Sequence, residues 1–174
     1  MKGFENEIYL YLLLISNGVA LFMLVAAIKW PRIARILFAL LFAWACWMNW
    51  TTVIEKPQVY LDYADLTWSS LYAGFIRGWF ANHIKMAVIF IAICQGLIAL
   101  SMLMKGVIFK TGTIGAVLFL LAIVPFGVGS GFPTTLIMTI ALIVILIKHA
   151  DDYVWLPGKP RIKVRKINKV AAVS

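Results

Sequence analysis

The sequence predicts an all-α, polytopic transmembrane bundle of five spans, and three observations carry that prediction. Of 174 residues, 63% are hydrophobic and only 13% charged, with a mean hydropathy of +0.95, values that exclude a water-soluble globule. The apolar residues are collected into blocks long enough to cross a bilayer, and the basic residues fall mainly between alternate blocks. The formal charge of +9 is therefore explained by topology and not by a nucleic-acid partner. No polar stretch is long enough for a separate soluble domain, so residues 1–149 read as one bundle followed by a basic tail, 150–174.

Residues 8–28 carry no charge and span roughly 31 Å as a helix. The stretch before them, MKGFENE, has one lysine and two glutamates with no small-residue cleavage pattern, which argues for a retained first helix and against a cleaved signal peptide. Lys29, Trp30, Pro31, Arg32 and Arg35 make a basic turn, and residues 36–54 form the second span. Residues 86–104 form the third. The block from Thr111 to Ile147 would be about 55 Å as one helix, too long for a single crossing, and PFGVGSGFP breaks it into spans 112–128 and 132–148. A complete hairpin is the preferred reading of this block and a partly re-entrant one the alternative.

With the N-terminus outside, the inner segments hold Lys29, Arg32, Arg35, Lys105, Lys110, Lys148 and the six basic residues of the tail, against Lys2, Lys56, Arg77 and Lys85 outside. This obeys the positive-inside rule and predicts a multi-pass cell-membrane protein with a cytoplasmic C-terminus. The tail, with basic residues alternating through PGKPRIKVRKINK, suits an arm lying on anionic lipid.

Residues 55–85 form the one long stretch that is neither continuously apolar nor basic. Tyr60, Tyr63, Trp68, Tyr72, Phe75, Trp79 and Phe80 recur at spacings near three to four, the pattern of an interfacial helix or of a lid over the bundle. As a lid it would turn Asp62, Asp65, Arg77 and His83 inward; as an aromatic belt it would only anchor a loop. Arg77 could pair with either aspartate. A single histidine without a paired ligand spacing predicts no metal site. Trp44, Trp47 and Trp50, three apart, make a ridge on the same side, with Asn49 beside it; this is either interfacial packing or a wall for a planar ring such as a quinone.

Polar residues within the spans are few. Asn17 and Gln95 fall at matching depth, about 14 Å below the outer ends of their helices, and are expected to hydrogen-bond across them, with Gly18 and Gly96 allowing close approach. The first three spans as drawn contain no charge, which argues against a proton pump or ion-coupled transporter. Cys46 and Cys94, the only two cysteines, exclude a disulfide framework and a cysteine-rich metal site. No phosphate loop, dinucleotide fingerprint, haem-attachment motif or Ser/His/Asp arrangement is present.

From Arg32 to about residue 148 the chain resembles the DoxX-like family of small bacterial membrane proteins. The resemblance rests on a span opening at Arg35, a polar connection with Pro57 and its aromatics, the run IAICQGLIALSMLMKG, and a Gly/Pro corner ending in Phe132 and Pro133. Where that family often has a glutamate, this chain has Gln95. The resemblance implies a four-helix core, here with an added N-terminal helix in a bacterial inner membrane. It also implies a non-catalytic or accessory subunit of a larger membrane complex, beside a quinone-linked redox system. The alternatives are an oxidoreductase binding a quinone or other hydrophobic substrate under the 55–85 lid, and a small-solute or lipid carrier. No cofactor other than such a quinone is expected.

Overall fold

The structure is a computed structural model, and it describes residues 7–148 and 153–155; the basic tail expected to lie on lipid falls outside the described residues. Among the described residues every regular element is a helix. Five long helices, α1 (Glu7–Lys29), α2 (Pro31–Glu55), α5 (Ala81–Leu103), α6 (Gly106–Ile123) and α7 (Thr134–Lys148), form the bundle, and two short ones, α3 (Tyr63–Leu66) and α4 (Ser70–Phe75), lie at one end of it.

Each long helix packs on two neighbours in the order α1, α2, α5, α6, α7, and α7 returns to α1, so the helices close into a ring. The longest interface is between α2 and α5. The interior mixes large side chains such as Phe38, Phe109 and Leu142 with many small ones, and the exterior is itself strongly apolar. Ala20, Ala26, Ala27, Ala34, Ala92, Ala116 and Ala141 are fully buried, while Leu12, Ile15, Phe22, Leu40, Phe90, Leu97 and Leu118 are exposed. Large apolar groups facing outward are costly in water and favourable in lipid, and small ones facing inward let helix backbones approach. Among the described residues four helices are long and apolar enough to cross a bilayer: Tyr11–Lys29, Pro31–Glu55, Ser70–Leu103 and Gly106–Gly127. This is the mark of a multi-pass membrane protein. Helix α7, of 15 residues, is apolar but shorter.

The chain departs from its sequence-based boundaries at two places. Helix α2 starts at Pro31, the favoured first helical position for proline, and so takes in Arg32 and Arg35. Arg35 is 2% exposed. Its Nε donates to the Met102 carbonyl at 2.9 Å, its second guanidinium nitrogen donates to the Met104 carbonyl, and the guanidinium lies 4.0 Å from the centre of the Phe109 ring. A residue expected in a basic turn thus caps the C-terminus of α5, whose last carbonyls lack partners within the helix and carry the negative end of its dipole.

The second departure is in 55–85, which is not one interfacial element. Pro57–Asp62, α3 and α4 fold over the bundle end, but from Ser70 the chain continues through a π-helical turn, Ile76–Phe80, directly into α5. The helix Ser70–Leu103 replaces the shorter span 86–104. The break at the Gly/Pro run is where the composition places it: a 3₁₀ segment, Val124–Ser130, joins α6 to α7, with Gly127 and Gly131 at φ +62° and +72°.

Two ends of the ring result. At the basic end, Lys29 and the start of α2 meet the α5–α6 junction and Lys148; Lys105 there sits 4.6 Å from the Tyr153 ring. At the capped end, 57–75 covers the opening between the helices.

Candidate functional site

The cap is fastened to the α6–α7 corner by groups that complete the C-terminus of α6. Thr67 Oγ1 donates to the Pro125 carbonyl at 2.6 Å, the Trp68 amide reaches the same oxygen at 3.3 Å, and the Tyr72 hydroxyl donates to the Ala122 carbonyl at 2.9 Å. These are the terminal carbonyls a helix leaves unpaired. Phe126 is gripped between Tyr63 and Tyr72, each 5.4 Å away, and Trp68 meets Phe132 edge-on at 5.3 Å. A Cβ on Gly129 would stand 2.9 Å from Tyr63 Cδ1, so the corner can approach the cap this closely only with glycine there.

Beneath the cap the side chains do not fill the interior of the ring. A cavity of about 540 Å³ lies between α2, α5, α6 and α7, within the range of small-molecule sites. Its walls are apolar, with Phe42 and Trp44 from α2, Ile91 from α5, Phe119 and Ile123 from α6 and Met138 from α7; Tyr60, Tyr63, Phe75 and Phe80 form the roof. A second pocket of about 380 Å³, lined by Leu12, Val59, Asp62 and Leu66, shares Ser16, Tyr63 and Gly129 with the first.

The polar lining is concentrated. The Tyr60 hydroxyl donates to Asn49 Oδ1 at 2.9 Å, and Asn49 Nδ2 donates to Gln95 Oε1 at 2.8 Å, a relay that ties roof, α2 and α5 together. Burial, and then the neighbouring Tyr63, push the Tyr60 hydroxyl above its ordinary range, opposed by a hydrogen bond with Thr52. It therefore stays protonated, and a donor, throughout the neutral range. On the opposite wall Thr135 Oγ1 is buried without a partner among the described residues. Thr134 Oγ1 and Ser16 Oγ lie 3.0 Å apart; Ser16 gives its own proton to the Leu13 carbonyl, which makes Thr134 the donor.

The structure separates the residues singled out from sequence. Of the ridge, Trp44 lines the cavity at its edge and Trp47 and Trp50 do not, although all three are exposed. Asp62 lines the smaller pocket. Asp65 and Arg77 form an ion pair of 2.6 Å on the outer surface of the cap. His83 stacks on Trp79 at 4.6 Å, with Nδ1 2.8 Å from the Trp79 carbonyl. The pairing of Arg77 with an aspartate is thus found, with Asp65, but His83 contacts Trp79 instead of that pair, and none of the three lines the cavity. The expected Asn17–Gln95 pair does not form: Asn17 Nδ2 donates to Leu13 within its own helix, and Gln95 takes its hydrogen bond from Asn49, because α5 packs along α2 and not along α1. Asn49, Tyr60 and Thr135 are the functional candidates missed. A polar residue in an apolar span was the available signal for Asn49, but depth counting does not say which helices are neighbours.

Among the described residues no cluster of three or more His, Cys, Asp or Glu side chains could hold a metal ion. Fold and cavity define the class as a multi-pass helical membrane protein with a capped, largely apolar pocket between its helices. No family model matches the chain, and neither does any curated protein or solved structure.

Proposed function

We propose that the protein crosses the cell membrane five times, with the capped end outside, and that it holds an apolar small molecule, a quinone or a comparably hydrophobic substrate, in the cavity under the cap. The observation that carries this reading is the cavity itself: about 540 Å³ of mainly aromatic and aliphatic wall with a few convergent polar groups. The orientation is supported by charge. Lys29, Arg32, Lys105, Lys110 and Lys148 gather toward one end, and the acidic Glu55, Asp62 and Asp65 lie at the other. Helix α7 would supply about 22 Å of a fifth crossing, with Lys148 extending toward the headgroups.

This reading departs from the accessory role that the DoxX-like resemblance implies, because a subunit that only docks beside a redox complex does not need a capped pocket between its own helices. Purified protein titrated with a decyl-chain benzoquinone should show saturable quenching of tryptophan fluorescence, with Trp44 in the cavity wall as the reporter. Ala87→Phe fills the same wall and is expected to abolish the saturable component while the helical circular dichroism is retained. Identical, non-saturating quenching in both proteins would refute occupancy of the cavity.

A further inference from the structure

We propose that the cavity selects an uncharged ligand headed by a carbonyl-type oxygen, which accepts hydrogen bonds from the Gln95 amide and the Thr135 hydroxyl. This deepens, and rests on, the reading that the cavity holds an apolar molecule.

The relay has a direction. Asn49 Oδ1 can only accept, and it accepts from the Tyr60 hydroxyl at 2.9 Å, so the Asn49 amide nitrogen is turned to α5. Gln95 Oε1 accepts from that nitrogen at 2.8 Å. Each step consumes the acceptor of the next side chain, and the relay ends on the two N–H groups of Gln95. Among the described residues they meet no acceptor, although Gln95 is only 3% exposed. Thr135, also 3% exposed, leaves its hydroxyl without a partner in the same cavity. The Thr135 hydroxyl is fully enclosed and the Gln95 N–H groups open onto the same largely apolar space; an enclosed polar group is normally satisfied, so the pair calls for an acceptor supplied from within that space.

Charge narrows the class further. None of the described residues lining this cavity is charged. A carboxylate head would lose its water and find no cation, and an ammonium head, which only donates, would face donors. A ketone, quinone, ester or amide oxygen meets the donors without either cost.

The test is equilibrium binding of four radiolabelled probes of equal chain length to the purified full-length protein: a long-chain methyl ketone, the corresponding carboxylate, the primary alkylammonium and the alkane. The ketone should bind about tenfold more tightly than each of the others, and Gln95→Leu should remove about tenfold of its affinity while leaving alkane binding unchanged. The near-isosteric Thr135→Val should act in the same direction and keeps the test open if Gln95→Leu does not fold. Carboxylate or ammonium binding as tight as the ketone, or ketone affinity unchanged in the folded variants, would overturn the head-group assignment and leave the cavity reading standing. No saturable binding of any probe, the alkane included, would overturn both.

Discussion

At the basic end of the ring, Arg35, Met102, Phe109 and Thr113 are buried against one another, and α5 and α6 touch so closely that a Cβ on Gly112 would lie 2.3 Å from the Ser101 Cβ. At the capped end the same helices stand apart around about 540 Å³ of space. The difference follows from what each end places between the helices. Glycine, alanine and serine at the basic end let backbones meet, and a guanidinium spanning from α2 to the carbonyls of α5 fixes the junction. At the capped end, Tyr60, Tyr63, Phe75 and Phe80 lie over the opening and roof a space that the side chains around it do not fill. One ring of helices can therefore be both a tight anchor and a container.

Breaking the anchor should have the largest effect. Arg35→Ala removes hydrogen bonds to Met102 and Met104 and the contact with Phe109, and is expected to cost about 3 kcal/mol, read as a lowered unfolding temperature in detergent. Arg35→Lys should recover little of it, since an ammonium cannot present the planar fork or stack as a guanidinium does. Gly112→Ala comes next, at about 2 kcal/mol through overpacking against Ser101. Ser101→Gly in the same chain should restore most of that loss, and a loss that persists in the double variant would remove close approach as its cause. If the two ends are separable, neither change should alter ligand binding in protein that remains folded. The smallest effect is expected at the surface of the cap. The Asp65 and Arg77 side chains are 75% and 64% exposed, so Asp65→Asn should shift stability by no more than about 0.5 kcal/mol. A larger drop would make that ion pair a clasp on the cap.

What could be seen in the sequence was whatever depends on composition and local chemistry. The apolar blocks, the break at PFGVGSGFP and the aromatic periodicity of 55–85 all correspond to features of the structure. What could not be seen depends on which helix lies beside which. Arg35 looks like one more residue of a basic turn until α5 is known to end beside it, and Asn49 finds Gln95 only because α2 and α5 share the longest interface. The acidic and basic residues of the cap attracted attention because charge is rare in this chain. Scarcity marks them as water-facing, and the groups directed into the cavity are neutral ones that composition does not distinguish.

The helix from Ser70 to Leu103 is 34 residues, roughly 50 Å, and it carries Phe75 in the roof, Gln95 in the wall and the Met102 carbonyl held by Arg35. Roof, wall and anchor thus sit on one rod. Its regular geometry is interrupted at the π turn Ile76–Phe80 and at His83, whose φ of −130° is not helical. Any widening of the cavity mouth that lifts this part of the roof has to bend there. Under the proposed function, a bulky ligand entering from the capped end is therefore expected to flex this elbow while the other end of the rod stays pinned by Arg35.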